Sequence, residues 1–297
     1  MHLPTLRQLE FLCAVADHGS FSKAAEACHV TQPTLSAAVK EVEGLLGVQL
    51  IERAARGASL TQAGEAAIER ARVILSDTAD LVSATRQAGA PLSGPFRLGA
   101  IPTIAPFLLP RPLKALRRAY PDLKLYLRED QTERLLDALR SRQLDAALIA
   151  LPWESTGIET MDLGDDEFLL VAPMGHNLME QQALSSNDLV DEDVLLLEDG
   201  HCLRDHALSV CRLPAQRSGA DVTATSLPTL VLLVAGGWGV SLLPKLAADA
   251  GVTSGADVEL KAFETPMIGR RIGIAWRTGS PRASEAEMIG EVVRDAL

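Results

Sequence analysis

The chain has 297 residues, 47% hydrophobic and 23% charged, enough for two or three folded domains and unlike a disordered or fibrous protein. Its net charge of −11 argues, taken alone, against a nucleic-acid partner, yet residues 1–88 carry 8 basic and 10 acidic residues against 20 and 29 for 89–297, so most of the acidity lies outside the N-terminal segment. No apolar run approaches membrane-spanning length and the N-terminus lacks a basic-then-apolar targeting pattern, so a cytoplasmic protein with no membrane partner is expected, in a compartment that keeps thiols reduced.

Leu6, Leu9, Leu12, Val15 and Ala16 recur at helical spacing ahead of Gly19 and predict a first helix, with Cys13 near its apolar side. Ser20 can cap a second short helix, Phe21 to Ala27. His29 and Val30 then turn the chain, and Thr31 can cap a third helix that opens Gln32-Pro33-Thr34-Leu35-Ser36. Two helices joined by so short a turn make a helix-turn-helix. The third helix would bring Gln32, Thr34, Ser36 and Ala37 to base edges and Lys40 to phosphate, with Leu35, Val39, Val42 and Leu46 facing the core. Past Gly47, Leu50 to Arg53 and Ser59-Leu60 flank Arg56-Gly57 and predict a two-stranded wing carrying Arg53 and Arg56. Each arginine alone reads equally well as a solvated charge, but their convergence on one turn favours DNA. From Thr61 a helical pattern runs to about Ala88, roughly 40 Å at 1.5 Å per residue, too long for one small domain to bury. Pairing with a second chain is expected; packing within the chain is the alternative.

Ala88 to Pro95 breaks the helix and reads as a hinge. Beyond it, Phe96 to Ile101 reads as a strand, Pro106 to Ala119 as mostly helix, Leu123 to Leu127 as a strand, Thr132 to Arg142 as a helix and Ala146 to Ala150 as a strand. That order predicts a parallel sheet. A second cycle passes through Phe168 to Val171, Val194 to Leu197, a helix holding two cysteines, Val222-Thr223, a helix from Leu227 to Ala235, and Val240 to Leu243. A strand, Ile272 to Trp276, and a helix, Ser284 to Ala296, close the chain. Two open α/β subdomains are expected to bind ligands at strand C-termini in the crevice between them. Thr103 and Thr132 fall at such ends, although an isolated threonine there reads more readily as a helix cap.

Cys202 and Cys211 stand nine positions apart, in a chain whose other cysteines are Cys13 and Cys28. The Asp199-Gly200 turn ahead of Leu203, Ala207, Leu208 and Val210 places Cys202 at the start of a short helix. Helix amides there, with His201 and Arg204 beside it, predict a thiol pKa below the ordinary value and make Cys202 the better nucleophile. An intact helix would hold the two Cα atoms roughly 13 Å apart, whereas a disulfide needs about 4.4 to 6.8 Å. Oxidation would therefore have to run through a sulfenic acid at Cys202, local unfolding and capture by Cys211. Taken alone the pair leaves open a buried hydrophobic role and, with His201 and His206 nearby, a zinc site. The spacing matches no familiar metal pattern, so no metal and no cofactor is expected. Cys28, beside the recognition turn, reads as packing.

Phe21-Ser22-Lys23-Ala24-Ala25 through Val30-Thr31-Gln32-Pro33-Thr34-Leu35-Ser36, Glu43-x-x-Leu46-Gly47-Val48-x-Leu50-Ile51-x-Arg53, and Leu60-Thr61-x-Ala63-Gly64 strongly resemble the LysR-type transcriptional regulators. So does Ser226-Leu227-x-Thr229-Leu230 with Leu233-Val234-Ala235-Gly236-Gly237-x-Gly239-Val240. The wing has fewer basic residues than that family usually carries. The resemblance implies an α/β protein with a winged helix-turn-helix domain over 1–60 and a linker and dimerisation helix over 61–88, followed by a hinge over 89–94. The rest would be a two-subdomain periplasmic-binding-protein-like (type II) effector domain, subdomain I over 95–165 and 269–297 and subdomain II over 166–268. It also implies double-stranded promoter DNA as partner, with Pro33 added to the contact residues, a homodimer or homotetramer, and RNA polymerase.

Leu197 to Asp205, the cysteine spacing and Ile101-Pro102-Thr103 are most similar to the members of the family that sense hydrogen peroxide. That similarity implies that Cys202 is the peroxidatic and Cys211 the resolving cysteine. It also implies that Thr103, Thr132, His201 and Arg270 orient peroxide, and that a glutaredoxin- or thioredoxin-type thiol reductant resets the switch. A one-residue slip would exchange Arg270 for Arg271. Such a regulator of oxidative-stress genes, activator or repressor, is not an enzyme. The alternatives are a LysR-type regulator gated by a small organic effector, with the cysteines incidental, and a thiol peroxidase.

Overall fold

A computed structural model describes residues 3–54, 57–86, 91–153, 155–211, 223–264 and 268–297. Arg56 lies outside the described residues, and so do the side chains of Arg53 and Cys211. The chain divides into two compact units, residues 1–89 with 141–143, and residues 90–140 with 144–297.

In the first unit, α1 (Leu6–His18) opens on a capping box between Thr5 and Gln8 and stops at Gly19 in the left-handed region. Helices α2 (Phe21–Ala27) and α3 (Gln32–Leu46) follow, the latter capped by Thr31 with Pro33 in its first turn. Strands β1 (Ile51–Ala54) and β2 (Gly57–Leu60) pair antiparallel as the wing, and α4 (Gln62–Arg86) continues for 25 residues. Leu12, Val15, Ala24, Leu35, Val39 and Val42 form the core. Leu46 does not join it and is 49% exposed, because the last turn of α3, with Leu45 and then Val48, runs past the small core. Gly64 explains itself at the start of α4: a Cβ there would meet the Leu50 carbonyl oxygen at 2.0 Å, so only glycine lets the helix enter beside β1.

The second unit holds an eight-stranded sheet. Its elements are β3 (Gly94–Ala100), α5 (Ala105–Leu108), α6 (Pro110–Ala119), β4 (Leu123–Glu129), α7 (Thr132–Arg140), β5 (Ala146–Leu151), β6 (Ile158–Pro173), α8 (Asn177–Glu180), β7 (Val194–Leu195), α9 (Cys202–Cys211), α10 (Leu227–Ala235), β8 (Val240–Pro244), α11 (Lys245–Asp249), β9 (Val258–Ala262), β10 (Gly269–Arg277) and α12 (Ala283–Arg294). The strand order is β4-β3-β5-β10-β6-β8-β7, with β9 also on β6.

The expected parallel sheet is therefore corrected to a mixed one. β4, β3 and β5 are mutually parallel, as are β7 and β8, but β10 and β6 run antiparallel to their neighbours. The reason lies in two long strands that carry the chain across. The first half of β6 packs Leu163 into one core and its second half packs Phe168 and Leu170 into another, while β10 adds Ile272 and Ile274 to the first. Residues 166 and 268 fall within β6 and just ahead of β10. The single helix expected over 106–119 is broken at Leu109/Pro110, where proline has no N–H to give. Of the strand expected at Val222-Thr223, Val222 lies outside the described residues, Thr223 is in no strand, and a bridge joins Ala224 to Leu197.

Candidate functional site

Helix α9 starts at Cys202, immediately after a loop whose shape is set by glycine. Gly200 has φ +91°, and a Cβ there would meet the Gln131 side chain at 2.7 Å. Arg204 ties the loop down from inside the helix, its Nε 3.0 Å from Asp199 Oδ1 and its Nη1 donating to the Leu197 carbonyl at 3.3 Å. His206 Nδ1 lies 2.7 Å from the Cys202 carbonyl oxygen one turn back. The helix faces both cores: Cys202 packs among the residues of the first, Leu203 and Ala207 among those of the second. Any unwinding of α9 therefore disturbs the packing of both.

Cys202 is buried, as are Thr103, Thr132, His201 and Arg270. Arg270, on β10, directs its fork at a single residue. Nη1 donates to Thr103 Oγ1 at 2.6 Å and Nη2 to the Thr103 carbonyl at 2.9 Å. The next residue, Arg271, points to the opposite face of the strand, half-exposed and paired with Asp162, so strand alternation separates the two arginines. Thr132, first residue of α7, caps nothing: its buried hydroxyl makes no hydrogen bond of normal geometry. It lies near enough to the Cys202 sulfur to favour the thiolate. His201 Nε2 lies 3.7 Å from Glu198 Oε1 at the mouth of the site. Thr103 and His201 line a cavity of about 460 Å³ that also touches Glu129, Gln131, Arg134 and Ser226.

The expectation of a Cys202 pKa below the ordinary value is overturned. Burial pushes the thiol up; the Arg270 charge and the Thr132 hydroxyl pull the other way without winning, and Asp205 adds to the rise. Arg204, two residues along the chain, is committed instead to Asp199 and Leu197. The cation that matters comes from β10, 68 residues away by numbering.

Asp166 was not singled out from the sequence. It sits directly opposite Arg270 in the β6–β10 register, and Arg270 Nε donates to its Oδ2 at 3.0 Å, both side chains fully buried. Its other oxygen accepts from the Leu246 amide at 3.0 Å. The only sequence signal was an acidic run, Asp165-Asp166-Glu167, matched by Arg270-Arg271, which becomes informative once the strands are paired.

Cys211 ends α9, so nine helical steps separate the cysteine Cα atoms by roughly 13 Å. Cys13 is buried with its thiol pushed up to about 11, mainly by burial, and Cys28 is half-buried beside α3.

In the first unit, Gln32, Pro33, Thr34, Ala37 and Lys40 are exposed along the start of α3, and Ser36 is half-buried. The Gln32 side-chain oxygen accepts from Ser22 at 3.0 Å, and the Thr34 hydroxyl lies 2.8 Å from that of Thr31, which orients both before any ligand arrives. Arg53 stands on β1 of the wing.

Residues 6–65 match the bacterial regulatory helix-turn-helix protein, lysR family, and residues 89–297 match the LysR substrate binding domain. The chain is 42% identical to a probable hydrogen peroxide-inducible genes activator of Streptomyces viridosporus, over 99% of this chain and 95% of the relative. It resembles a full-length OxyR cysteine variant from Pseudomonas aeruginosa with a TM-score of 0.81 and 36% identity, covering 99% of each chain. It also resembles a Corynebacterium glutamicum OxyR cysteine variant with H2O2 bound, with a TM-score of 0.69 and 36% identity over 99% of this chain and 93% of that one. With a recognition helix, a wing and an effector domain all matched along nearly the whole length, the chain belongs to the LysR family of transcriptional regulators.

Proposed function

We propose that this chain is an OxyR-type, hydrogen peroxide-sensing DNA-binding transcriptional regulator of oxidative-stress genes, with Cys202 as the peroxidatic and Cys211 as the resolving cysteine. The observation that carries the reading is a buried thiol placed between an unsatisfied hydroxyl, Thr132, and the field of a guanidinium, Arg270, which itself holds a second hydroxyl, Thr103. Peroxide is small and uncharged, so it can enter where charged oxidants cannot, and hydroxyl donors can orient it and stabilise the departing oxygen. The Cys202 thiolate attacks one peroxide oxygen, the S–O bond forms as the O–O bond breaks, sulfur is oxidised by two electrons, and the hydroxide released takes a proton to become water. The Cys211 thiol then attacks the sulfenic acid, giving the disulfide and a second water. A high thiol pKa keeps most of the sulfur protonated, while the thiolate that does form is correspondingly more nucleophilic.

The disulfide cannot form across an intact α9, so its formation must break a helix packed into two cores. Through the linker and α4, that change would alter the spacing of DNA-binding domains in a homodimer or homotetramer. Gln32, Pro33, Thr34, Ser36, Ala37, Lys40, Arg53 and Arg56 would contact promoter DNA. The setting is the cytoplasm, with RNA polymerase as the downstream partner and a thiol reductant for reset. No described helix is long and apolar enough to cross a membrane.

The test is peptide mass mapping after peroxide treatment together with promoter binding. A Cys202–Cys211 disulfide is expected, and a Cys202→Ser protein should lose the peroxide response. Absence of that disulfide with an unaltered Cys202→Ser response would reject the reading. The cavity of about 460 Å³, far larger than peroxide, supports a small organic effector as the second reading. A metabolite that restores regulation to Cys202→Ser would favour it.

A further inference from the structure

Arg270 is the guanidinium that lowers the Cys202 pKa, and its geometry is set from behind. Asp166 takes Nε, which leaves Nη1 and Nη2 to close on Thr103. Asp166 is itself fixed by the Leu246 amide at the start of α11 and by strand register. Thr103 Oγ1 accepts from Arg270, and its own proton, which has no acceptor among the described residues, is left to be donated into the cavity that Thr103 lines. Asp166 also neutralises part of a fully buried charge that would otherwise act on the sulfur undiminished.

We propose that Asp166 is the positioning residue of the Cys202 site: through Arg270 it fixes Thr103 as the proton donor to the departing peroxide oxygen and tempers the guanidinium field at the sulfur. The inference rests on the peroxide reading above and deepens it. It separates two things that a merely structural residue would change together. Thiolate availability depends on the net charge near the sulfur, whereas reaction with peroxide depends also on where the Thr103 proton points.

The experiment uses the full chain in a Cys211→Ser background, which stops at the sulfenic acid. Cys202 alkylation by iodoacetamide is followed against pH, and peroxide oxidation of Cys202 is followed in parallel, both by peptide mass spectrometry. In Asp166→Asn the amide oxygen can still accept from Arg270, but the amide nitrogen then faces the Leu246 amide, donor against donor. The alkylation midpoint should move to lower pH, while the peroxide rate per thiolate falls by on the order of tenfold or more. Asp166→Glu keeps the charge and displaces it by one methylene, so its alkylation midpoint should stay near that of the parent while its peroxide rate still falls. Alkylation and peroxide rates that change in parallel, or no change in their ratio in whichever variant folds, would overturn the proposal. So would failure of both variants to fold, since Asp166 would then serve the fold alone. If the parent protein itself reacts with peroxide no faster than a free thiol, it is the peroxide reading that fails.

Discussion

If α9 must open before Cys211 can reach Cys202, weakening the helix should speed disulfide formation without touching the first oxidation step. Ala207→Gly is the cleanest perturbation, since Ala207 is buried in the middle of the helix and packs in the second core, away from the sulfur. Glycine in a helix interior costs about 1 kcal/mol relative to alanine, and loss of one buried methyl about 0.8 kcal/mol. Together these raise the equilibrium constant for opening by about twentyfold at 1.4 kcal/mol per factor of ten. The distance to be closed is large, from roughly 13 Å down to about 5.5 Å between Cα atoms, so the opening cannot be a mere fraying of one end. Rapid mixing with peroxide, acid quench and mass mapping would give two rates. Sulfenic acid at Cys202 should form at the parental rate, and its conversion to the disulfide should accelerate by on the order of tenfold or more. An unchanged conversion rate in a protein whose helix is measurably weakened would show that opening of α9 is not the gate.

Arg270→Gln should leave Asp166 buried and unpaired and lower stability by about 3 to 5 kcal/mol in urea unfolding. Arg270→Lys should recover much of that stability but not the peroxide rate, because an ammonium cannot form the fork on Thr103. Cys13 should give the fold an alkaline weakness. Its folded pKa of about 11 lies above the ordinary value of 9.0, so its contribution is complete below pH 9 and is lost as pH rises from 9 towards 11. The loss is about 1 to 2 kcal/mol after solvent screening, and urea unfolding against pH should show Cys13→Ala flattening that limb. In promoter titrations, Lys40→Ala should weaken binding across sequences and reduce the salt slope by about 1, whereas Gln32→Ala should cost about 1 to 3 kcal/mol chiefly on the cognate site. Equal effects of the two variants on specific and random DNA would refute the division between phosphate and base contacts.

Much of this protein is written in short-range signals. Thr5, Thr31 and Gly19 bound their helices through hydrogen bonds and backbone angles spanning a few residues, so the helix-turn-helix, the wing and the helix joining the two cysteines could be read from spacing and capping alone. The same holds for the impossibility of a disulfide across α9, which follows from helix rise. Other features depend on contacts between distant parts of the chain. Whether Arg270 or Arg271 turns inward depends on the phase of β10 against β6, and a shift of one residue would exchange them. Asp166 and Arg270 lie 104 residues apart and become partners only through that register. The mixed sheet reflects two long strands shared by two cores, which an alternation of strand and helix along the chain does not reveal. The direction of the Cys202 pKa shift is set the same way. Sequence neighbours and a helix start point to a thiol below its ordinary value, but desolvation depends on everything packed around the sulfur. Local order is a property of neighbouring residues, whereas burial and charge pairing are properties of the folded whole, and only the tertiary structure decided them.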